Sequence, residues 1–318
     1  MTANLPLRCF AHLCGFTLLL ASAHQGGFAQ EPQGPVIRRE VKLALVDATV
    51  KDKSGKVMGE LKKEDFQLLD NGQLMEIAHF SRDQIPLAVA LVVDLSESIS
   101  PFLRPLRYAS ISTLKALKPE DEAALFTFST EPELRVRLTK DKLDVSTELE
   151  SVQAGGGTNI NDAVFDAARY LNEERPSARC VVILVSDNVA SGGHRKSARD
   201  VTDAALAADA AVYNVKVPGR NPVLGRAMSS VAGGNVSVKD LTADTGGEMF
   251  DVEKQGSLFL ALQTVITRLK TRYTIGFYPP GGPGDGSFHR LEIRLAPSFG
   301  RKGSDYTVVS KKGYYARR

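Results

Sequence analysis

The sequence of 318 residues predicts an α/β fold, in which a doubly wound, mostly parallel sheet is inserted between the halves of a small β-sandwich. Two short apolar runs, residues 87–93 and 181–185, are the main basis of this prediction. Apolar side chains at successive positions are typical of strands buried on both faces of a parallel sheet. Helix-like and strand-like segments alternate around these runs, and this alternation is typical of a doubly wound sheet.

The central region, residues 84–270, contains most of the predicted helices. Ile160, Val164 and Leu171 recur at helical spacing after Asn159, and Leu258 begins a second amphipathic pattern. In chain order, the segments between and after the two apolar runs are a helix at 102–117, strands at 122–128 and 134–138, a helix from Asn159, a helix at 195–208, a strand at 211–217 and a helix at 258–269.

The two flanks, residues 36–83 and 271–318, are strand-like and have too few strands to bury a core separately. Asp70, Asn71 and Gly72 form a strong hairpin-turn signal in the first flank. Joined, the flanks predict a sandwich of about six or seven strands. Two separate small domains are the alternative.

The N-terminus predicts export. Residues 1–29 read as a secretory signal peptide: Arg8 precedes the apolar stretch 9–20, and cleavage is expected after Ala23 or Ala29. We therefore expect a secreted or periplasmic protein with no transmembrane segment once the signal is removed, although a retained anchor stays an alternative. A formal net charge of +3 is far from the basicity of nucleic-acid-binding proteins, so no nucleic-acid partner is expected.

Oxygen-bearing side chains follow both apolar runs. Asp94, Ser96 and Ser98 come after the first run, Asp187 follows the second, and Thr158 follows three glycines at 155–157. In an open α/β sheet, ligands bind outside the carboxyl ends of the strands, so these side chains are expected to face one crevice. A set made only of oxygen ligands suits a hard cation such as Mg²⁺. Asp94 and Ser96 as mere helix caps are the alternative, but capping does not explain Thr158 and Asp187.

This pattern resembles the metal-ion-dependent adhesion site of the von Willebrand factor type A domain, and the resemblance covers residues 84–270. All five positions match: Asp94, Ser96, Ser98, Thr158 and Asp187. The resemblance implies a Rossmann-like type A fold that binds Mg²⁺, with Mn²⁺ or Ca²⁺ possible. It also implies that the serines and the threonine contact the metal and that the aspartates act largely through bound water. The flanks resemble those of secreted bacterial proteins related to this family, which brings no known activity.

We expect from these features an exported, divalent-metal-dependent protein-binding or adhesion module, not an enzyme. Its partner would be a protein or cell-surface ligand that presents a carboxylate. The alternatives are a metal-assisted or serine hydrolase and a structural envelope-assembly protein with an incidental metal site. Ser96 or Ser98 would need a base within reach, and His194, on the metal side of the sheet, is the candidate.

Two nearby features allow more than one interpretation. Glu97 lies between the two serines and either points to solvent or supplies a carboxylate to the metal. The glycine-rich segment 218–236 follows a predicted strand and is expected to overhang the same crevice, either as a mobile binding loop or as a tolerated insertion.

Overall fold

A computed structural model of the chain describes residues 43–82, 84–191, 193–219, 234–253, 257–280, 286–299 and 305–316. The predicted signal peptide at 1–29 and most of the predicted binding loop, residues 220–233, lie outside the described residues. Export and the role of that loop therefore stay predictions.

Helices and strands alternate in the middle of the chain, and strands dominate both flanks. The described strands are β1 (Ala44–Asp52), β2 (Phe66–Asp70), β3 (Gln73–Met75), β4 (His79–Arg82), β5 (Leu87–Asp94), β6 (Glu122–Phe128), β7 (Pro132–Thr139), β8 (Arg179–Ser186), β9 (Ala211–Lys216), β10 (Met249–Asp251), β11 (Tyr273–Phe277), β12 (Phe288–Leu295), β13 (Tyr306–Ser310) and β14 (Gly313–Tyr315). The described α-helices are α1 (Ser100–Lys115), α2 (Lys142–Ser151), α3 (Ile160–Glu174), α4 (Ala198–Ala207), α5 (Val238–Thr245) and α6 (Ser257–Lys270).

The central sheet has six strands in the order β10-β9-β8-β5-β6-β7. Only the β6–β7 pair is antiparallel, and the other neighbours are parallel. Helices α1, α2 and α6 cover one face, and α3, α4 and α5 cover the other. The predicted fold class is therefore confirmed, because a mostly parallel sheet lies between two helical layers.

Strand β5 is covered by packed side chains on both faces, and this explains its run of apolar residues. Leu87, Val89, Leu91 and Val93 pack into the core on one face, and the intervening positions, Ala88 among them, pack into the core on the other. Because successive side chains of a strand point to opposite faces, a strand covered on both sides needs apolar residues throughout.

The flanks form two four-stranded sheets, β13-β1-β11-β4 and β14-β12-β2-β3, in which all neighbouring strands are antiparallel. Their shared core contains Val46 and Leu68 from the first flank and Ile275 and Ile293 from the second. The described sandwich thus has eight strands, compared with the six or seven predicted, and it is built from both ends of the chain.

The predicted hairpin turn joins β2 to β3. Asp70 pairs with Gln73, and the two residues between them have left-handed backbones, with φ of 49° at Asn71 and 82° at Gly72. Positive φ at both central residues is the requirement of a type I′ turn, which asparagine followed by glycine meets with little strain.

Three elements were not expected from the sequence, namely α2, α5 and β10. Helix α2 buries only a narrow stripe that includes Val145 and Leu149, so its helical periodicity is weak in the sequence. Helix α4 begins at Ala198 and not at Arg195, because the side chains of Ser197 and Asp200 form a capping box there. Within the described residues, no helix is long and apolar enough to cross a bilayer.

We expect Ile275→Ala to lower the free energy of unfolding by about 2–4 kcal/mol, because Ile275 is fully buried between the two sheets of the sandwich. Leu74→Ala on β3 is the control, since Leu74 is 59% exposed and its truncation should change stability by about 0.5 kcal/mol or less. Urea unfolding of both variants measures the difference. If both variants lose the same free energy of unfolding, the second flank does not contribute to the core of the sandwich as described.

Candidate metal centre

The two predicted aspartates lie at the same edge of the central sheet. Strands β5 and β8 are parallel neighbours in which Val93 pairs with Val185, so both strands end at the same edge of the sheet. Asp94 is fully buried at the end of β5, and Asp187, directly after β8, is only 4% exposed. The structure therefore brings these two carboxylates together, as the sequence predicts.

The loop after β5 places both serines beside Asp94. The Asp94 Oδ1 atom accepts a hydrogen bond of 2.8 Å from the Ser96 backbone N–H. The hydroxyl oxygens of Ser96 and Ser98 lie 3.0 Å apart. A 3₁₀ turn at Glu97–Ile99 then leads into α1, and Glu97 itself is exposed. Three of the five predicted residues thus form one compact group.

Thr158 is held at this edge by its backbone. It exchanges two hydrogen bonds of 3.0 Å with Ser191, and Gly155 donates one of 2.7 Å to the Leu95 carbonyl. Position 157 favours glycine, because an added Cβ would lie 2.9 Å from the Ser191 carbonyl oxygen. No described hydrogen bond joins the Thr158 hydroxyl to the other four side chains. Its link to them therefore runs through the two loops that hold it.

The electrostatics of the carboxylate pair favour a bound cation. Burial raises the pKa of Asp94 to about 6, hydrogen bonds from Ser186 and Ser96 oppose this rise, and the negative charge of Asp187 adds to it. Neither carboxylate forms an ion pair with any residue in the described ranges. Two adjacent buried carboxylates with hydroxyl neighbours are the donor set that a hard divalent cation prefers.

Two further residues support this pair: Ser186, which was not identified from the sequence, and Gly219, which belongs to the predicted loop 218–236. The Ser186 hydroxyl donates a hydrogen bond of 2.6 Å to Asp94 Oδ2 and accepts one of 3.0 Å from the Asn188 backbone N–H. Gly219 packs so closely that an added Cβ would lie 2.5 Å from Asp187 Oδ2. The hydroxyl next to Asp187 was a usable signal for Ser186, and the position of Gly219 directly after a predicted parallel strand placed it at this crevice.

The first turn of α3 anchors the surrounding rim. The Asp162 carboxylate accepts hydrogen bonds from the backbone N–H groups of Arg195 and Lys196, at 3.0 and 2.9 Å. Asn161 donates to the carbonyls of Lys196 and Gly234, at 2.7 and 3.0 Å. Burial by itself raises the pKa of Asp162, but hydrogen bonds donated by Asn159, Lys196 and Arg195 hold this pKa below its ordinary value. Two rim segments are therefore attached to one rigid helix.

Nothing in the described residues completes a hydrolase arrangement. The His194 ring packs against Gly234, where a Cβ would lie 2.8 Å from its Nε2 atom. No described histidine is hydrogen-bonded to Ser96 or Ser98. Nor does any group of three or more His, Cys, Asp or Glu side chains in the described ranges have the placement of a metal site, so the candidate centre depends on hydroxyls together with the two carboxylates.

Residues 89–190 match the family model of the von Willebrand factor type A domain. The chain contains a von Willebrand factor type A domain. The match runs from the third residue of β5 to just beyond β8, and so includes all five predicted site residues. Type A domains typically bind a divalent metal ion, and they are commonly modules of protein interaction or adhesion.

The type A domain also has curated relatives. The chain is 30% identical over 169 residues to inter-alpha-trypsin inhibitor heavy chain H2 of Sus scrofa, covering 48% of this chain and 18% of that protein. Heavy chain H4 of Bos taurus is 33% identical over 132 residues, covering 37% of this chain and 14% of that protein. The chain thus spans less than a fifth of either relative.

A solved structure, that of an aerotolerance-related membrane protein from Bacteroides fragilis NCTC 9343, is 15% identical with a TM-score of 0.44. The comparison covers 57% of this chain and 99% of that one.

Because burial raises the pKa of Asp94 from 3.8 to about 6, its contribution to the stability of the metal-free type A domain should fall as pH rises between these values. The folded state holds the Asp94 proton more tightly than the unfolded chain over this window. Asp94→Asn removes the dependence, so the variant should gain about 2–3 kcal/mol relative to wild type between about pH 4 and pH 7. Urea unfolding in chelator at several pH values measures this gain. A difference that stays constant with pH would contradict the burial argument.

Proposed function

We propose that this chain is an exported, divalent-metal-dependent protein-binding or adhesion module that recognises an acidic group of its partner through a bound Mg²⁺. The observation that carries the proposal is the 3.0 Å separation of the Ser96 and Ser98 hydroxyl oxygens beside two buried carboxylates. This geometry and charge favour a small, hard cation.

The hydroxyl spacing bears on which cation is preferred. Neighbouring ligands of an octahedral Mg²⁺, each about 2.1 Å from the metal, lie about 3.0 Å apart. An octahedral Ca²⁺ with ligands at about 2.4 Å would separate neighbouring ligands by about 3.4 Å. Without a cation, the same 3.0 Å allows one serine to donate a hydrogen bond to the other. The two serine hydroxyls could therefore become neighbouring Mg²⁺ ligands with little change in their separation.

Each of the five residues has a role in the proposed site. Ser96, Ser98 and Thr158 would supply hydroxyl oxygens, and the two aspartates would supply negative charge, largely through bound water. A bound Mg²⁺ would supply a Lewis-acidic position for a carboxylate oxygen of the partner. Ser186 holds the Asp94 carboxylate in place through its hydrogen bond of 2.6 Å. In the proposed site, these residues would be in position before a partner binds.

The proposed location supports this function. A signal-like N-terminus favours a secreted or periplasmic protein, and the fluid outside the cytoplasm supplies divalent cations. Within the described residues, no contact favours the hydrolase alternative. A structural envelope-assembly role would leave the metal incidental, and dependence of partner binding on Mg²⁺ distinguishes it from the proposed role.

Wild-type protein should bind one Mg²⁺ per chain in isothermal titration calorimetry at a pH above 7, where Asp94 is ionised. Asp94→Asn should weaken Mg²⁺ binding by more than about 100-fold, and Ser186→Ala, which frees the Asp94 carboxylate without removing it, by about tenfold. Mn²⁺ and Ca²⁺ titrations of the same samples rank the cations.

Glu97→Gln is the matched control for these titrations, since it also removes one negative charge, but from an exposed side chain three residues after Asp94. Its Mg²⁺ affinity should stay within about threefold of wild type because exposed charges are well screened. Unchanged affinity in Asp94→Asn would refute the site assignment. A loss in Glu97→Gln as large as that in Asp94→Asn would instead place Glu97 at the metal.

Partner binding should depend on the metal. We expect a purified wild-type bait to retain a protein from envelope or secreted fractions in Mg²⁺, and to lose it in chelator or after Asp94→Asn. Quantitative pull-down with the Glu97→Gln bait as the positive control measures the effect. Retention of the same protein by Asp94→Asn bait in chelator would show that recognition does not use the metal centre.

A further inference from the structure

A second concave site lies at the opposite edge of the central sheet from the metal centre. It forms where the sandwich meets the amino-terminal ends of β8 and β9, and its cavity volume is about 50 Å³. This volume suits a small ion and excludes a folded partner. Its charged lining residues are Asp47, Arg179, Asp209, Arg272 and Lys311.

The charges lining this pocket do not balance. Three cationic side chains, those of Arg179, Arg272 and Lys311, face two carboxylates, so the formal sum of 3 − 2 is +1. The cationic side chains are deeply buried, with exposed fractions of 5%, 2% and 9%, whereas the Asp209 side chain is 42% exposed. Screening of Asp209 by solvent makes the buried part of the pocket still more positive.

Asp47 cannot neutralise both arginines. It accepts a hydrogen bond of 2.9 Å from Arg179 Nε, but Arg272 Nε lies 3.8 Å from the same carboxylate. Burial by itself raises the pKa of Asp47, yet Arg179 and Arg272 hold that pKa below its ordinary value, so Asp47 is already ionised at neutral pH.

Arg272 keeps an unsatisfied donor in this pocket. Its Nη1 atom donates to the Tyr213 hydroxyl at 3.3 Å and its Nη2 atom to the Gly246 carbonyl at 2.9 Å. Its buried Nε atom has no hydrogen-bond acceptor among the described residues. A buried donor without a partner is costly, and a charged donor more so, which makes an acceptor at this position favourable.

A neighbouring cluster of charged side chains at the same interface also has an excess of positive charge. Lys51 and Arg268 both lie beside Glu248, at 2.6 and 3.4 Å, so this cluster has a formal sum of 2 − 1, or +1. The two clusters together carry +2 at the interface between the sandwich and the α/β layers. An anion near Arg272 would be attracted by both.

We propose that this pocket is a binding site for a small oxyanion of the phosphate or carboxylate class. Arg272 donates a hydrogen bond to the anion, and Arg179 and Lys311 supply further positive charge. Lys311 follows β13 of the sandwich, whereas Arg179 begins β8 of the central sheet. The anion therefore bridges the two layers, and it stabilises the folded chain because the pocket exists only when the layers are joined. This site is separate from the metal centre and does not depend on the proposed function.

The test is isothermal titration of the full chain in chelator, with inorganic phosphate in one arm and acetate in the other, at constant ionic strength set with chloride. We expect saturable binding of one anion per chain in at least one arm. The arm with the tighter binding identifies the oxyanion class. Binding weaker than about 10 mM in both arms would overturn the proposal.

Three variants locate the binding. Lys311→Met should weaken binding by about tenfold, and Asp209→Asn, which removes a competing carboxylate, should strengthen it by about threefold. Asn tolerates the left-handed backbone at Asp209, where φ is 52°, so this variant is expected to fold. Lys312→Met is the matched control, because Lys312 is the adjacent lysine, is 64% exposed and pairs with Asp244 outside the pocket. Equal affinity in Lys311→Met and Lys312→Met, or weaker binding in Asp209→Asn, would refute the assignment.

Discussion

The parallel pairing of β5 with β8 is the constraint on which the candidate centre depends. The two strands are in register from Leu87 with Arg179 to Val93 with Val185, so they end at the same edge. Ser186 then reaches across to Asp94, and Asp187 follows one residue later. A slip of one residue in this register would turn every side chain of one strand to the other face. The apolar residues that bury both faces therefore also determine where the carboxylates lie.

Polar contacts hold the rim of the centre in place. Asn161 and Asp162 are both buried in the first turn of α3. Asn161 donates hydrogen bonds to backbone carbonyls of two separate loops, and Asp162 accepts hydrogen bonds from backbone N–H groups of one of them. Backbone groups in such loops have no ladder partners, so buried side-chain amides and carboxylates replace them. This arrangement gives loops near a binding site a defined shape without making them part of the sheet.

The opposite edge of the sheet uses charge where many domain interfaces use apolar contacts. Asp47 of β1 lies between Arg179 and Arg272, and Lys311 reaches both Asp209 and the Leu45 carbonyl. Buried ion pairs add little to stability, but removal of one partner is strongly destabilising because it leaves a buried charge without compensation. The unbalanced positive charge of this interface is the feature that an anion would complement.

Much of the fold was predictable from the sequence because it depends on local signals. The apolar runs of β5 and β8, the helical spacing of α3 and the Asn71-Gly72 turn each reflect a period or a backbone preference that a short segment carries by itself. The candidate site is predictable for a similar reason, since its oxygen-bearing residues directly follow apolar runs or a glycine-rich turn. Helix α2 was not predicted, because its buried stripe is narrow and its helical periodicity in the sequence is therefore weak.

Local patterns predicted the class of fold, the turn of the β2–β3 hairpin and the five oxygen-bearing residues of the candidate centre. The contacts that support these residues became visible only in the folded chain. Ser186 is close to Asp94 because two strands far apart in the chain are neighbours, and Gly219 touches Asp187 because β9 returns to the same edge. The pocket around Arg272 joins residues from both ends of the chain and from its middle. Contacts of this kind follow from packing over long sequence separations, which no local pattern records.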